Sequence, residues 1–209
     1  MGSGDGIEDR TVGGQCRDRG KTVVTRKAHV FRRGQEGSLA FVGDFEGLYR
    51  DVEAPWAQSV ADDRMGAYYL AARKRLISII RAEQEPGSVI ELGCGLGQVC
   101  AMVNDAGAAR RVVGLDISET AIEKARERYP HLEFHAADAR RGWPSTVGGD
   151  FNVGLMNQML WYVLDDLSDV LTRLVEAVRP GGRVIVAQAF FRGTQEYGTN
   201  VVDGFLGLV

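Results

Sequence analysis

Three glycines at alternate positions, Gly93, Gly95 and Gly97, follow a short apolar stretch at residues 88–90 and give the pattern G-x-G-x-G. Glycines at this spacing predict a loop whose backbone contacts a small ligand directly, because no side chain stands in the way. An acidic residue, Glu91, ends the predicted strand in front of the loop. The stretch therefore predicts a ligand site at a strand-to-helix junction.

The pattern differs from the dinucleotide fingerprint G-x-G-x-x-G, whose third glycine would fall at Gln98. Together with Glu91, this difference favours S-adenosylmethionine over NAD as the ligand. An NAD-dependent oxidoreductase stays as an alternative, although no acid for hydride transfer is obvious in the sequence.

The elements that must position this loop alternate between strand and helix along the chain. Such alternation, with strands rich in Val and Ile, predicts parallel β-α-β units and an α/β, doubly wound, mostly parallel sheet covered on both faces. The apolar periodicity predicts strands near 88–92, 111–115, 132–135, 151–156 and 183–189, and helices near 61–82, 97–106, 118–129 and 161–178.

Polar side chains follow the carboxyl ends of successive strands, where ligands bind in such sheets. Asp116 follows the second strand and is placed to accept hydrogen bonds from a ribose diol, while Ser118 is expected to cap the next helix. Asp138 follows the third strand and is placed to accept from an adenine amino group. Asn157 and Gln158 follow the fourth.

The segment from Glu91 to Gly97, Asp116, Asp138 and the Pro-Gly-Gly turn at 180–182 resemble the motifs of class I S-adenosylmethionine-dependent methyltransferases. The resemblance covers roughly residues 60–192 and implies S-adenosylmethionine as cofactor and S-adenosylhomocysteine as product. It implies that the loop residues Gly93, Cys94, Gly95 and Gly97 contact the methionine part and that Asp116 binds the ribose. It implies an apolar face for adenine at Ile117 and contacts to the adenine edge at Asp138 and Ala139. Glu91, Asn157 and Arg73 would orient the loop or the ends of the cofactor. For Arg73, pairing with the cofactor carboxylate and simple solvation are both open.

The turn at Pro55-Trp56 and the stretch 160–164 resemble small-molecule members of this family, including the sugar N-methyltransferases of nodulation-factor synthesis. The expected acceptor is a small metabolite, most simply a sugar or a natural-product intermediate, because the fourth-strand motif and the mild net charge argue against nucleic acid. Enzymes that methylate DNA bases resemble one another in an Asn/Asp-Pro-Pro-Tyr/Phe turn after the fourth strand, and this chain has Asn157-Gln158-Met159-Leu160 there. Nucleic acid is not expected as a substrate.

Methyl transfer from a sulfonium is an in-line displacement that depends mainly on alignment of the nucleophile, the methyl group and the sulfur. A base is needed only when the nucleophile arrives protonated. None of His29, His131 and His135 stands out as a base, which favours an amine acceptor. Asn157, Gln158 and Tyr162 are the candidate catalytic residues, because they are placed to orient an acceptor; Tyr162 and Trp161 are equally compatible with ordinary packing at a helix start.

Composition gives the broad limits. The 209 residues are 44% hydrophobic and 25% charged, which fits one globular domain. A net charge of −3 gives no reason to expect nucleic acid or an anionic membrane as partner. The sequence has no membrane-length apolar run and no apolar core of signal-peptide type, so we expect a cytoplasmic protein. The three cysteines are expected to be free thiols, without a metal site.

We expect residues 1–40 to form a flexible arm, with a basic tether as the alternative, and residues 41–209 to form the methyltransferase domain. Within that domain, residues 41–86 are predicted as a helical lid, 87–192 as the cofactor-binding core and 193–209 as a short tail. The tail is too short for the helix and antiparallel hairpin that follow the fifth strand in this family. We expect truncation, with two alternatives: a missing layer supplied by a partner, as in a homodimer through an open sheet edge, or a degenerate protein.

Overall fold

The computed structural model describes residues 26–33, 39–56, 63–82, 87–190 and 195–208. Its elements begin with a short helix and a two-stranded hairpin, continue through two helices, and then alternate between strand and helix. They are α1 (Arg26–Val30), β1 (Phe31–Arg33), β2 (Leu39–Phe41), α2 (Phe45–Asp51), α3 (Asp63–Ile80), β3 (Gly87–Leu92), α4 (Gln98–Asp105), β4 (Ala109–Asp116), α5 (Glu119–Arg128), β5 (Glu133–Ala136), β6 (Phe151–Asn157), α6 (Leu167–Ala177) and β7 (Val178–Ala187). Short 3₁₀ turns lie at Ser145–Val147, Leu160–Tyr162 and Leu164–Asp166.

Strands β3 to β7 form a five-stranded sheet in the order β5-β4-β3-β6-β7, and every pair in it is parallel. The chain runs outward from β3 to β5 on one side and then returns to the other side for β6 and β7. This reversal beside β3 is the switch point of a doubly wound sheet, where ligands bind at the carboxyl ends of the strands. The predicted fold class is confirmed.

Both faces of the central strands β3, β4 and β6 are buried, which explains their nearly continuous apolar runs. Val89 and Val112 point into a core shared with helices α3, α4 and α5. Their neighbours Ile90 and Val113 point into a second core shared with α6 and with Val202 of the C-terminal segment. The alternation along each strand therefore divides the apolar residues between two layers.

Two predicted boundaries move. The helix predicted from residue 161 begins at Leu167, because Val163 adopts a non-helical φ of −130° between two 3₁₀ turns. Strand β7 begins at Val178, five residues before the predicted start. Phe151 pairs with Val178 and Val153 with Arg183, so the predicted turn at residues 179–182 is a bulge within the strand.

Part of the segment predicted as a flexible arm, residues 1–40, has secondary structure and packs against the domain. Helix α1 and the β1–β2 hairpin lie within it, Val30 is buried, and the rings of Phe31 and Phe41 pack with centroids 5.7 Å apart. The apolar residues here contact distant segments and so leave no local period in the sequence. Residues 1–25 and 34–38 lie outside the described residues.

The predicted tail packs against the domain over its described part, 195–208. Val202 is buried in the core beside α6, and Arg33 of the hairpin forms an ion pair of 2.9 Å with Glu196. Among the described residues no antiparallel strand pairs with β7, which lies at the edge of the sheet. No helix in the described ranges is long and apolar enough to span a membrane.

Gly114 on the central strand β4 provides a test of this packing. An added β-carbon would lie 2.7 Å from the Phe134 ring and 2.8 Å from the Cys94 sulfur. We expect Gly114→Ala to lower the free energy of unfolding by about 1–3 kcal/mol through overpacking, measured by chemical denaturation. Gly149→Ala is the control, because its β-carbon would meet a single atom at 4.0 Å. Equal stability of the two variants would contradict the packing described here.

Candidate active site

A cavity of about 1000 Å³ lies at the carboxyl ends of strands β3 to β6, at the switch point of the sheet. The glycine loop after β3 and the turns after β4 and β5 line one end of it. The β1–β2 hairpin, helix α2, the turn at Trp56 and the segment around Tyr197 line the other. We call these the cofactor end and the acceptor end, for the ligands that the sequence predicts there.

The glycine loop needs its glycines for conformation and for space. Gly93, Gly95 and Gly97 have φ values of 71°, 53° and 75°, a region that side chains disfavour. A β-carbon on Gly95 would lie 2.5 Å from the Tyr49 hydroxyl. The loop is tied to β4, since the backbone N–H of Cys94 donates to the carbonyl of Leu115 over 2.9 Å.

Gly97 has a packing role in the fold, and its predicted contact with the cofactor stays a prediction. It is the left-handed residue before helix α4, and its β-carbon would lie 2.6 Å from the Phe134 ring. It is not among the described residues that line the cavity, whereas Gly93, Cys94 and Gly95 are. The third glycine therefore allows close packing of helix against sheet.

Asp116 lines the cavity and is only 7% exposed. Its carboxylate accepts hydrogen bonds from the backbone N–H of Gly95 at 2.8 Å and of Ser118 at 3.0 Å. Burial raises the pKa of Asp116 above its ordinary value, although these backbone N–H groups oppose the shift. The residue thus fixes the glycine loop to the end of β4, and its role as a ribose ligand stays a prediction.

Ser118 caps helix α5 as predicted, because its hydroxyl oxygen accepts from the backbone N–H of Ala121. The Ser118 hydroxyl in turn donates to the carboxylate of Glu46 on helix α2, at 2.7 Å. Glu46 also accepts from Thr120, and these hydrogen bonds lower its pKa. Helix α2, part of the predicted lid, is therefore attached to the cofactor end.

The residues predicted to contact adenine all line the cavity. Ile117 is 44% exposed, so it offers an apolar face, and Ala139 lines the same cavity. Asp138 forms paired hydrogen bonds of 2.8 Å with the guanidinium of Arg140, which lowers the pKa of the carboxyl. A carboxylate accepts about four hydrogen bonds in total, so Asp138 retains capacity for an adenine amino group.

Glu91 lies beneath the glycine loop, fully within strand β3 and 2% exposed. Burial raises its pKa from 4.5 to about 7, even though Cys100 donates its thiol to the carboxylate over 3.0 Å and Arg73 and Asn157 favour the charged form. Glu91 and Asn157 both line the cavity. A carboxyl that titrates near neutral pH is therefore built into the floor of the site.

Arg73 on helix α3 does not line the described cavity, so its predicted contact with the cofactor carboxylate finds no support in its position. It is 8% exposed, donates to the side-chain oxygen of Gln98 over 3.0 Å and lies 5.9 Å from the centroid of the Tyr69 ring. Its burial argues against the alternative of a solvated arginine, and its neighbours Gln98 and Tyr69 both line the cavity.

The three predicted acceptor-orienting residues come together at the cavity. Gln158 has a positive φ of 56°, and its side-chain oxygen accepts from the backbone N–H of Ala189 at 3.2 Å, which ties it to the end of β7. Tyr162 is partly buried, and this burial raises its pKa. Its hydroxyl therefore stays protonated and is suited to donate a hydrogen bond, not to act as a base.

Six aromatic side chains form a connected cluster at the acceptor end, and five of them were missed as site residues. Tyr162 lies at its centre, with ring centroids 5.1 Å from Phe45, 5.7 Å from Trp56 and 6.2 Å from Phe41. The cluster also includes Phe31 and Tyr197, whose centroids are 5.1 Å apart. We call these six residues, all of which line the cavity, the aromatic wall. The sequence signals were the turn at Pro55-Trp56, which resembles small-molecule methyltransferases, and the presence of aromatic residues in a segment without period.

The histidines lie elsewhere. His29 pairs with Asp44 at 3.0 Å and His135 with Glu133 at 2.9 Å, and no histidine is among the described residues that line the cavity. In the described part of the chain, no cluster of His, Cys, Asp and Glu is arranged to hold a metal ion. The site therefore offers positioning groups and no histidine base.

Residues 89–182 match the family model of a methyltransferase domain. The chain is 34% identical over 103 residues to trans-aconitate 2-methyltransferase of Methylobacterium radiotolerans, which covers 49% of this chain and 38% of that protein. It is 31% identical over 114 residues to ribosomal protein L11 methyltransferase of Burkholderia multivorans, covering 54% of this chain and 35% of that protein. The matched region thus spans well under half of these relatives.

The fold is shared with N-methyltransferase NodS from Bradyrhizobium japonicum in complex with S-adenosylhomocysteine, with a TM-score of 0.57, 18% identity, and coverage of 68% of this chain and 71% of that one. The sheet and its cavity define an α/β protein of the ligand-binding, doubly wound class. The family match assigns residues 89–182 to the S-adenosylmethionine-dependent methyltransferase domains, and the shared fold agrees with that assignment.

The raised pKa of Glu91 predicts a pH effect on stability. Between its ordinary value of 4.5 and its folded value of about 7, the folded state holds a proton that the unfolded state has lost. The protonated Glu91 therefore makes its full contribution to the free energy of unfolding below pH 4.5, and this contribution is lost as the pH rises through about 7. Between about pH 5 and about pH 8, we expect the free energy of unfolding of the wild type to fall by about 2–3 kcal/mol relative to that of Glu91→Gln. Denaturation curves across this range measure the difference, and parallel pH profiles would contradict it.

Proposed function

We propose that the protein transfers a methyl group from S-adenosylmethionine to a nitrogen or oxygen atom of a small molecule, such as a sugar or natural-product intermediate. One observation carries this proposal. The glycine loop, which Asp116 holds in place, and the aromatic wall line the same cavity. Cofactor and acceptor would then lie in one enclosure, with the transferred methyl between them.

The cofactor end has the groups that such a ligand needs. Gly93 and Gly95 offer backbone without side chains, Asp116 offers a carboxylate, and Ile117 offers an exposed apolar face. The cofactor supplies the activated methyl group when bound. The chain's own residues hold it, exclude water and align the acceptor, and such positioning accounts for a large part of the rate of a displacement reaction.

The acceptor end supports a small molecule over a macromolecule. The β1–β2 hairpin, helix α2 and the segment at residues 195–197 cover it. An ion pair between Arg33 and Glu196 joins the hairpin to this segment. The carboxylates of Asp116, Asp138 and Glu196 line the cavity, which disfavours the phosphates of a nucleic acid. Tyr162 would donate a hydrogen bond to the acceptor, while Asn157 and Gln158 would support the geometry around the transferred methyl.

Calorimetric titration with S-adenosylmethionine and S-adenosylhomocysteine tests the cofactor site. We expect both to bind and Asp116→Ala to weaken binding by about 10- to 100-fold, because it removes charge-assisted hydrogen bonds to the ligand and to the loop. Asp169→Ala is the matched control, since Asp169 is exposed on helix α6 and away from the cavity.

NADH serves as the comparison ligand in the same titration. Tight NADH binding without binding of S-adenosylmethionine would favour the oxidoreductase alternative. If the folded protein binds neither ligand, the enzyme proposal fails and a methyltransferase fold put to a binding role takes its place.

A further inference from the structure

We propose that the aromatic wall is a binding subsite for an ammonium group, which makes amines the substrate class of this protein. This inference rests on the proposed function, because it concerns the acceptor end of the same cavity. Two observations and one chemical argument carry it. The observations are the six rings and the distribution of charge around the cavity, and the argument is the direction in which charge moves during methyl transfer.

The aromatic wall has the composition of a cation site. A ring attracts a cation through the negative face of its π system, and tryptophan and tyrosine do so more strongly than phenylalanine. Trp56 and Tyr162 lie side by side at 5.7 Å, and Tyr197 joins the cluster through Phe31 and Phe41. The rings come from four separate segments and all line one cavity. Their convergence offers a ligand several aromatic surfaces at once.

Acidic side chains outnumber basic ones in the described lining of the cavity, which disfavours an anionic acceptor relative to a cationic one. Glu91, Asp116, Asp138 and Glu196 line the described part of the cavity, and Arg140 is the one basic side chain that does so there. Both guanidinium hydrogen bonds of Arg140 go to Asp138, at the cofactor end. Arg33, which does not line the described cavity, pairs with Glu196 at the acceptor end. Within the described lining, a carboxylate at the aromatic wall would therefore meet no basic side chain, whereas an ammonium group would meet aromatic faces.

The transfer itself places positive charge at this wall. The amine enters as the neutral base after giving its proton to water. Its nitrogen lone pair forms the new bond to carbon, the carbon–sulfur bond breaks, and the bonding pair stays on sulfur. The products are neutral S-adenosylhomocysteine and an N-methylammonium group, which then releases a proton to water. The positive charge thus moves from sulfur to nitrogen, where aromatic faces stabilise it in the transition state.

The same arrangement explains why no base is needed. Burial keeps Tyr162 protonated, and no histidine is among the described cavity residues. A neutral amine attacks without losing a proton in the transition state, whereas an alcohol needs a proton acceptor there.

Choline and 3,3-dimethylbutan-1-ol test the subsite, because they share a shape and differ in charge. Each is titrated by NMR into the complex of the protein with S-adenosylhomocysteine. We expect choline to bind about 3- to 30-fold more tightly than the alcohol, the range of a cation–π contact. Choline cannot accept a methyl group at its nitrogen, so the measurement reports binding alone.

Trp56 offers a matched pair of variants. Its indole N–H donates to the Tyr49 hydroxyl over 2.8 Å, and Trp56→Phe and Trp56→Leu both remove that hydrogen bond. They differ in whether an aromatic face remains. We expect Trp56→Phe to keep a preference for choline and Trp56→Leu to reduce it toward equality, with S-adenosylhomocysteine binding showing that both variants are folded.

Two results would overturn the inference. One is equal or tighter binding of the alcohol to the wild-type complex, and the other is failure of choline to bind it. In either case binding of S-adenosylhomocysteine would leave the proposed function standing. Failure of S-adenosylhomocysteine to bind the wild type would instead remove the proposed function itself.

Discussion

The buried carboxylate of Asp116 holds the site together. Strand β4 ends at this residue, and the carboxylate accepts the backbone N–H of Gly95 from one loop and of Ser118 from the next. A charged acceptor in a buried site strengthens such hydrogen bonds and makes their loss costly. The glycine loop follows β3 and helix α5 follows β4, so one side chain fixes both cofactor-facing turns to the sheet. The conformation of the loop depends on this hydrogen bond as much as on its glycines.

The acceptor end is connected to Asp116 through a series of contacts. Ser118, which starts helix α5, also donates to Glu46 on helix α2. Helix α2 carries Tyr49, whose hydroxyl lies against Gly95 and accepts from Trp56. Trp56 then packs on Tyr162 in the aromatic wall. A continuous set of packed and hydrogen-bonded groups therefore runs from the cofactor end to the acceptor end, so the geometry of one end constrains the other.

The parts that could be predicted from sequence are those with a local pattern. The strands around the glycine loop, the cap at Ser118 and the strand-end acids Asp116 and Asp138 follow from periodicity and spacing, and the structure brings them to one cavity. The β1–β2 hairpin could not be predicted, because Phe31 and Phe41 are stabilised by rings from distant segments such as Tyr162 and Tyr197. Local periodicity carries no information about such partners.

The neighbours of single residues could not be predicted for a related reason. A helical period places Arg73 on helix α3, but it does not show that Arg73 lies behind Gln98, a residue that lines the cavity. Gly97 belongs to a ligand-binding motif by spacing, yet the Phe134 ring occupies the space beside it. Motif and period identify a face of an element, whereas the role of a side chain depends on what the opposite element places there.

The two ends of the cavity differ in how they are built, and this difference bears on specificity. The cofactor end is formed by consecutive strand ends of one sheet and is fixed by backbone hydrogen bonds, so it tolerates little change. The aromatic wall is assembled from the hairpin, the segment from Phe45 to Trp56, Tyr162 and Tyr197, and side-chain packing alone joins most of these rings. Substitutions in the wall would change the shape and charge preference of the acceptor site without altering the hydrogen bonds at Asp116. A fold of this kind therefore keeps one cofactor while its acceptor changes, which agrees with relatives named for acceptors as different as trans-aconitate and a ribosomal protein.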